Sequence, residues 1–290
     1  MPRKASKSLT AAVSAELKSN FDLNNFKSKK GLGGNVKFKP QQWIPLSEAF
    51  QKVTSVPGIP MGHVCLLRGH SDTGKTTALI EAAVSAQKAK VLPVFIITEM
   101  KWNWEHAMQM GLDVQEIWDE ETGELLDYQG DFIYADRESL HTIEDVAAFI
   151  LDLLDEQKKG NLPYDLMFLW DSIGSVPCQM SVEKKKNNNE WNAGAMSTQF
   201  GNVVNQKVVM SRKESSPYTF GNISNAGTSK IKAIKDGKQV EFAKRTNLQI
   251  DKNHINGVTT RGRIIMTPHG FIEDSDKSLK NYKNDHAKEW

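Results

Sequence analysis

Apolar residues follow two patterns along this chain, and together they predict strands that alternate with helices. Short continuous apolar runs bounded by turn residues predict buried strands at 64–69, 91–98, 131–136 and 165–172. Apolar positions at helical spacing predict helices at 44–53, 76–89, 102–111 and 142–159. Ser47 would start the first of these helices. Such alternation is typical of an α/β fold with a mainly parallel sheet and right-handed crossovers.

The second half of the chain has a different pattern. A polar, basic stretch at 181–192 predicts a loop, and 193–213 predicts a helix. From residue 230 onward, alternating apolar positions predict a C-terminal antiparallel hairpin set. Its turn signals are Asp236-Gly237, Asn256-Gly257 and His269-Gly270. A further turn is predicted at 55–63, and a charged tail at 274–290 is expected to fray.

Three regions follow from this pattern. Residues 1–42 form a basic N-terminal arm, with a short helix at 8–19 and a connector rich in lysine and glycine. Residues 43–273 form the α/β core, and 274–290 form the charged tail. A chain of 290 residues is long enough for one large domain with a small appendage.

Composition excludes several classes of protein. The chain is 39% hydrophobic and 25% charged, an ordinary globular balance, so collagen-like and wholly disordered classes are excluded. No apolar run is long enough to span a membrane, and the N-terminus lacks a secretory signal, so we expect a soluble, cytoplasmic protein without membrane contact. Cys65 and Cys178 are too few for a disulfide framework or a cysteine-based zinc site.

The formal net charge of +2 conceals strongly charged segments. Residues 1–40 carry nine basic side chains and two acidic ones, whereas 113–156 carries fifteen acids and one base, Arg137. Residues 181–263 carry fifteen bases and six acids. Basic segments favour a polyanionic partner, but a solvated surface explains them equally well.

A phosphate-binding motif lies between a predicted strand and a predicted helix. Residues 69–76 fit G-x-x-x-x-G-K-[ST], a loop whose backbone amides surround phosphates at a helix N-terminus. The motif predicts a nucleotide with β- and γ-phosphates bound by Lys75, and Mg²⁺ bound by the Thr76 hydroxyl. The residues predicted to contact the nucleotide here are Gly69, His70, Ser71, Asp72, Thr73, Gly74, Lys75, Thr76 and Thr77.

Two carboxylates end predicted strands on the same edge of the sheet. Asp171 follows the run LMFLW and would complete the metal site with Thr76; an N-cap or surface role is the alternative. Glu99 ends the strand that follows the phosphate-loop helix and would orient or deprotonate the attacking water. A plain exposed glutamate is the competing interpretation.

The ordered motifs resemble those of the RecA recombinase family, including its bacteriophage UvsX-like branch. The resemblance rests on GHSDTGKTT at 69–77, Glu99 one strand later, LWDS at 169–172 and AGAMSTQFGNVVNQKV at 193–208. It covers about 43–215 and 240–272. It implies an ATPase that forms helical filaments on single-stranded DNA in the cytoplasm of a bacterium or phage-infected cell and promotes homologous strand exchange.

The resemblance also implies roles for individual residues. Asn103 and His106 fall where the family contacts adenine, with Trp102 and Trp104 as stacking alternatives. Lys252 falls where a neighbouring protomer inserts a basic side chain toward the γ-phosphate, and the helix at 8–19 resembles the family's protomer-packing arm. For DNA, the basic loop offers charge and one aromatic ring, although such a loop alone is more often solvated. Its candidate residues are Lys184, Lys185, Lys186 and Trp191.

The resemblance breaks after Lys213. The family has another buried strand there, and in this chain PYTF at 217–220 is the one candidate for it. A core without that strand would leave backbone groups of its neighbours unpaired. Two alternatives to a recombinase therefore stay open: a ring-shaped replicative helicase motor with the same core, and a nucleotide-binding recombination mediator that lacks strand exchange.

Overall fold

The computed structural model describes eleven segments of the chain. They are residues 22, 25–26, 29–30, 41–70, 72–99, 101–199, 201–203, 218–219, 228–235, 238–250 and 257–287. Contacts divide the chain into two units, Met1–Pro40 and Gln41–Trp290. The predicted helix at 8–19 lies outside the described residues.

The second unit contains twelve described strands and seven described α-helices. The strands are β1 (Trp43–Pro45), β2 (Gly58–Pro60), β3 (Val91–Ile97), β4 (Gln115–Trp118), β5 (Leu125–Gln129), β6 (Ile133–Asp136), β7 (Asp165–Asp171), β8 (Tyr218–Thr219), β9 (Thr228–Lys235), β10 (Lys238–Gln249), β11 (Arg261–Thr267) and β12 (Gly270–Glu273). The helices are α1 (Glu48–Thr54), α2 (Lys75–Lys88), α3 (Trp104–Gln109), α4 (Ile143–Lys159), α5 (Gln179–Glu183), α6 (Asn189–Gln199) and α7 (Asp276–Asp285).

A parallel sheet with strand order β6-β3-β7-β8 forms the centre of this unit. Every residue of β3 is buried, as its apolar sequence predicts for a strand covered on both faces. Side chains on one face pack with α2, whereas alternate side chains on the other face pack with α4. The predicted α/β class, the parallel sheet and these two helices are confirmed.

The predicted strand at 64–69 is wrong, because these residues form no strand and Leu66 is exposed. A strand needs a neighbour with which to exchange hydrogen bonds along its length. In the part of the chain that the structure describes, the sheet ends at β8, which has two residues. This strand comes from the PYTF segment and pairs with Phe168 and Leu169 of β7. The predicted strand is present there, but it is very short.

Two small antiparallel pairs were not predicted. The segment expected to be a turn contains β2, which pairs with β1. A β-carbon at Gly58 would lie 2.0 Å from the carbonyl oxygen of Ile44, so this close pairing requires glycine. β4 and β5 form a separate hairpin between α3 and β6. The predicted loop at 181–192 is also shorter than expected, since α5 and α6 leave five residues between them.

The C-terminal antiparallel region is a four-stranded sheet with order β12-β11-β10-β9. This confirms the predicted hairpin set. The tail is not frayed as predicted, because 276–285 forms α7, whose Tyr282 packs with Phe242 and Ile265 in a third core cluster. Ser275 caps this helix by accepting a hydrogen bond from the Ser278 amide. None of the described helices has the length and apolar character needed to cross a bilayer.

Candidate nucleotide site

The phosphate loop enters α2 through a left-handed glycine. Gly74 has a φ of 90° and is the N-cap of α2. A β-carbon at this position would lie 2.8 Å from Met266 Sδ and 3.0 Å from Phe271 Cζ, so the hairpin β11–β12 packs directly against the loop. Both the backbone conformation and the space require glycine here. Asp72 also has a positive φ, of 60°, and Ser71 lies outside the described residues.

Lys75 lies across the loop that precedes it. Its ammonium group donates hydrogen bonds to the carbonyl oxygens of Gly69 at 3.1 Å and His70 at 2.7 Å. The His70 carbonyl also accepts from the Thr73 hydroxyl at 2.8 Å. These bonds hold the loop curved around the lysine, the shape that lets backbone amides converge on a phosphate.

The Thr76 hydroxyl and the Asp171 carboxylate meet at the mouth of this loop. Thr76 lies in the first turn of α2, Asp171 ends β7, and the Thr76 hydroxyl donates to Asp171 Oδ2 at 2.6 Å. Burial raises the pKa of Asp171; the nearby Glu99 carboxylate acts in the same direction, whereas the Thr76 bond lowers it. Two adjacent hard oxygen ligands match what Mg²⁺ prefers, so the residues present fit this ion.

Glu99 lies on the same edge of the sheet, one residue beyond Thr98. The Ser172 hydroxyl donates to Glu99 Oε1 at 2.5 Å, and the Glu99 amide donates to the Asp171 carbonyl at 3.1 Å. Both contacts follow from the pairing of Ile97 with Asp171 in adjacent parallel strands. Glu99 is therefore oriented by the strand that also carries the candidate metal ligand.

These side chains line one cavity of about 490 Å³. Its charged and hydroxyl-bearing lining residues are Arg68, Asp72, Lys75, Thr76, Glu99, Lys101, Asp171 and Ser172. A cavity lined by both cations and carboxylates suits a triphosphate bound with a divalent ion. The structure thus brings Lys75, Thr76, Glu99 and Asp171 together, as their positions in the sequence predict.

Buried hydroxyls behind the cavity were missed by the sequence analysis. Thr98 is 3% exposed, and its hydroxyl accepts from Trp170 Nε1 at 2.8 Å and donates to the Ser172 carbonyl at 2.9 Å. The Ser175 hydroxyl lies 2.6 Å from the Thr98 hydroxyl. The signal available in the sequence was a small polar residue directly before Glu99 and two serines after Asp171. This network fixes the backbone that carries Glu99 and Ser172.

Other predicted nucleotide contacts lie apart from this cavity. Asn103 caps α3 by accepting from the His106 amide at 2.9 Å, and neither residue lines the cavity. Burial lowers the pKa of His106, and the neighbouring His269 lowers it further. Trp102 packs with its ring centroid 4.8 Å from that of Phe95. The Thr77 hydroxyl points to Met266 Sδ at 3.5 Å, and Lys252 lies outside the described residues.

The predicted DNA-contacting residues lie around the short loop between α5 and α6. Lys184, Lys185 and Lys186 are exposed, and Lys185 has a φ of 49°. Trp191 is half-buried and packs against the core cluster that contains α4. The three lysines thus present their charges to solvent, whereas much of the Trp191 indole is covered by the core.

Comparison with known proteins gives distant matches to RecA. No protein-family model matches the chain. Protein RecA of Kineococcus radiotolerans is 25% identical over 300 residues, which cover 94% of this chain and 82% of that protein. RecA of Streptococcus pyogenes serotype M5 is 24% identical over 237 residues, covering 77% of this chain and 60% of that protein. RecA of Treponema denticola is 31% identical over 85 residues, covering 29% of this chain and 20% of that protein. These distant similarities, with the α/β fold, support the RecA family for this chain.

Proposed function

We propose that this chain is an ATP-dependent DNA recombinase of the RecA type, from the bacteriophage UvsX-like branch. It would form helical filaments on single-stranded DNA and promote homologous pairing in the cytoplasm of a bacterium or phage-infected cell. The observation that carries the proposal is the contact of Thr76 with Asp171 at the mouth of the phosphate loop, with Glu99 held beside it. The similarity to one RecA protein over 94% of this chain supports the DNA part.

ATP would bind with its phosphates in the loop at 69–76. Lys75 would exchange its bonds to the Gly69 and His70 carbonyls for bonds to the β- and γ-phosphate oxygens. Mg²⁺, held by Thr76 and Asp171, would neutralise charge on those oxygens. The Glu99 carboxylate, oriented by Ser172, would accept the proton of the attacking water. Asn103 and His106 would contact the base. This role needs a test of its own, separate from the roles of the four phosphate and metal residues.

Contacts between protomers complete the proposed mechanism. Lys252 would reach the γ-phosphate held by a neighbouring protomer, where a cation stabilises the charge that develops in phosphoryl transfer. The basic arm at 1–42 would support assembly of the filament. Hydrolysis would then depend on assembly, and assembly would be promoted by DNA bound at the loop with Lys184, Lys185 and Lys186.

A nucleotide-binding recombination mediator without strand exchange is the second candidate. It is favoured by one observation: β8, at the described edge of the parallel sheet, has two residues. The family places a full strand and a second DNA-binding loop in this region. A mediator would bind nucleotide and a recombinase partner through the same core.

ATP hydrolysis with and without single-stranded DNA, together with electron microscopy, tests the proposal. We expect stimulation by single-stranded DNA, filaments and a loss of about a hundredfold or more in kcat for Lys75→Ala. Lys88→Ala, which removes an exposed lysine from the far end of α2, is the matched control and should retain activity. Rings that unwind duplex DNA would identify a helicase, and hydrolysis without filaments or strand exchange would favour the mediator. Unchanged hydrolysis in Lys75→Ala would refute the site.

A further inference from the structure

A second cavity, of about 370 Å³, lies beside the nucleotide site on the far side of Gly174. Its walls come from three segments, of which the one with Arg137 is distant in sequence from the other two. Arg137 follows β6, Val176 and Pro177 belong to the segment after β7, and Lys185 and Lys186 follow α5. Among the described residues that line it, there is no aspartate or glutamate. The cavity is therefore basic, although it borders the most acidic segment of the sequence.

Hydrogen bonds among the lining residues give the cavity a fixed shape. Asn192 Oδ1 accepts from the Cys178 amide at 3.0 Å and from the Ser181 hydroxyl at 2.8 Å. Asn192 Nδ2 donates to Asn187 Oδ1 at 2.8 Å, and the Lys186 amide donates to the Ser181 carbonyl at 3.1 Å. Ser181 is 4% exposed. Hydrogen bonds thus hold the backbone that carries the lysines after α5, which is not a freely solvated loop.

Arg137 lines the same cavity and has no carboxylate partner in the described part of the chain. Its guanidinium donates to the Ser175 carbonyl, and among the described residues no aspartate or glutamate lies within ion-pair distance of it. Lys185 and Lys186 likewise have no carboxylate partner in the described part of the chain. A half-buried arginine without a counter-ion is costly to desolvate, and its remaining N–H donors are open to a further acceptor. One arginine and two lysines line this cavity without a carboxylate partner among the described residues, and this predicts an anionic ligand.

We propose that this cavity is a phosphate pocket in which Arg137, Lys185 and Lys186 surround a backbone phosphate of single-stranded DNA. The planar guanidinium would hold the phosphate in bidentate geometry, with the two ammonium groups on the opposite side. The inference rests on the proposed DNA-binding function and adds Arg137 to it. A free phosphate offers the same chemistry, so the experiment distinguishes these two sources.

Ser175 gives this pocket a direct connection to the nucleotide cavity. Its carbonyl accepts from Arg137, while its hydroxyl lies 2.6 Å from both the Thr98 hydroxyl and the Ser172 carbonyl. A phosphate bound by Arg137 would therefore be connected through Arg137 and Ser175 to the hydrogen bonds that orient Glu99.

The test measures binding of a fluorescent oligothymidylate to the full chain as a function of salt. Arg137→Gln should weaken binding about tenfold, as for the loss of a charge-assisted contact. It should also lower the slope of log K against log salt by about 0.7, the value for one phosphate of a single strand. Lys185→Gln and Lys186→Gln, both on exposed side chains, should lower the slope in the same way without affecting folding. Lys88→Gln, which removes an equal charge elsewhere, should leave the slope unchanged.

Pyrophosphate distinguishes a DNA phosphate from a free one. Thermal unfolding is measured with and without pyrophosphate for the wild type and Arg137→Gln. Both proteins can bind pyrophosphate at the Lys75 loop, so the difference between their shifts in melting temperature reports on this pocket. If the wild type and Arg137→Gln give equal oligonucleotide slopes but differ in their thermal stabilisation by pyrophosphate, the DNA assignment is overturned. If the two proteins give equal results in both assays, the proposed phosphate pocket is overturned. If the wild type binds no DNA, the proposed function fails, and the pyrophosphate difference still decides whether the pocket binds phosphate. Arg137→Lys, which keeps the charge but not the bidentate geometry, should recover part of each effect.

Discussion

The Ser172 hydroxyl donates a hydrogen bond to Glu99 Oε1 at 2.5 Å, and this contact joins the ends of the two most buried strands of the sheet. Ser172 follows the candidate metal ligand, and Glu99 is the candidate base. The bond therefore ties the position of the carboxylate to the strand that would hold Mg²⁺. Geometry of this kind matters because a catalytic base must stay within hydrogen-bonding reach of its water.

Ser172→Ala should lower kcat for ATP hydrolysis about tenfold or more while leaving nucleotide affinity unchanged. A hydrogen bond to a charged group is worth about 1.5–3 kcal/mol, and each 1.36 kcal/mol of barrier is a factor of ten in rate. Steady-state kinetics with a fluorescent nucleotide titration measure the two effects separately. Ser172→Thr keeps the hydroxyl and should restore part of the rate, and Ser139→Ala on the surface is the control. A higher KM at normal kcat would show that Ser172 serves binding instead.

Asp171→Asn should raise the melting temperature of the metal-free protein at pH 7 by roughly 2 °C. Because burial raises the pKa of Asp171, the folded protein holds this proton to a higher pH than the unfolded chain does. Stability is therefore lost as pH rises from the ordinary aspartate pKa of about 4 to the raised value. The amide removes the charge and still accepts from Thr76.

The difference between this variant and the wild type should vanish below pH 4, where both side chains are neutral. Mg²⁺ and ATP together should stabilise the wild type and not Asp171→Asn. Asp152→Asn, at an exposed position of α4, should match the wild type in melting temperature and keep the stabilisation by Mg²⁺ and ATP. Scanning calorimetry at pH 4 and pH 7 measures both; a variant destabilised equally at each pH would contradict the assigned desolvation.

Gly74→Ala should abolish nucleotide binding and destabilise the fold by about 1–2 kcal/mol from the left-handed backbone alone. The added methyl group also collides with Met266 and Phe271. Met266→Ala in the same chain should recover the part due to the collision with Met266 and leave the contact with Phe271 and the backbone strain. Urea unfolding measures each step. Gly194→Ala is the control: this glycine lies in α6 with open space around it, so alanine should stabilise by about 0.5–1 kcal/mol.

The sequence could predict β3, β7 and α4 because each is specified locally. Apolar runs bounded by turns determine the first two, and Thr142 with Asp145 forms a capping box that starts the helix. Glu99 and Asp171 in the nucleotide cavity were predictable for a related reason, since the carboxyl ends of adjacent parallel strands share one edge. The apolar run at 64–69 looked equally convincing, but a strand also depends on its neighbour, and a local pattern carries no information about that.

Arg137 illustrates what local patterns cannot reveal. It is the one base among fifteen acids at 113–156, and an ion pair within that segment would be the natural expectation. The structure instead turns it toward Ser175 and the lysines after α5. That placement results from the crossover between β6 and β7, and a local pattern of residues does not predict it.

The same lesson applies to α7, whose sequence is charged and has few apolar residues. Tyr282 is 6% exposed because Phe242 and Ile265, from two strands of the antiparallel sheet, cover it. Its hydroxyl also contacts His269 Nδ1 at 2.8 Å, beside the turn that leads to Phe271. The helix is therefore stabilised by tertiary contacts and not by its own propensity.

Tyr282→Ala should lower the free energy of unfolding by about 3 kcal/mol, as for other large buried side chains. Tyr282→Phe should cost about 1 kcal/mol, the loss expected when the hydroxyl and its contact with His269 are removed. Urea denaturation followed by tryptophan fluorescence measures both, with Lys280→Ala on the exposed face of the same helix as the control. If the tail were frayed, all three variants would unfold at the same urea concentration as the wild type. A loss confined to Tyr282→Ala and Tyr282→Phe therefore means that α7 is part of the folded core and supports the hairpin packed against Gly74.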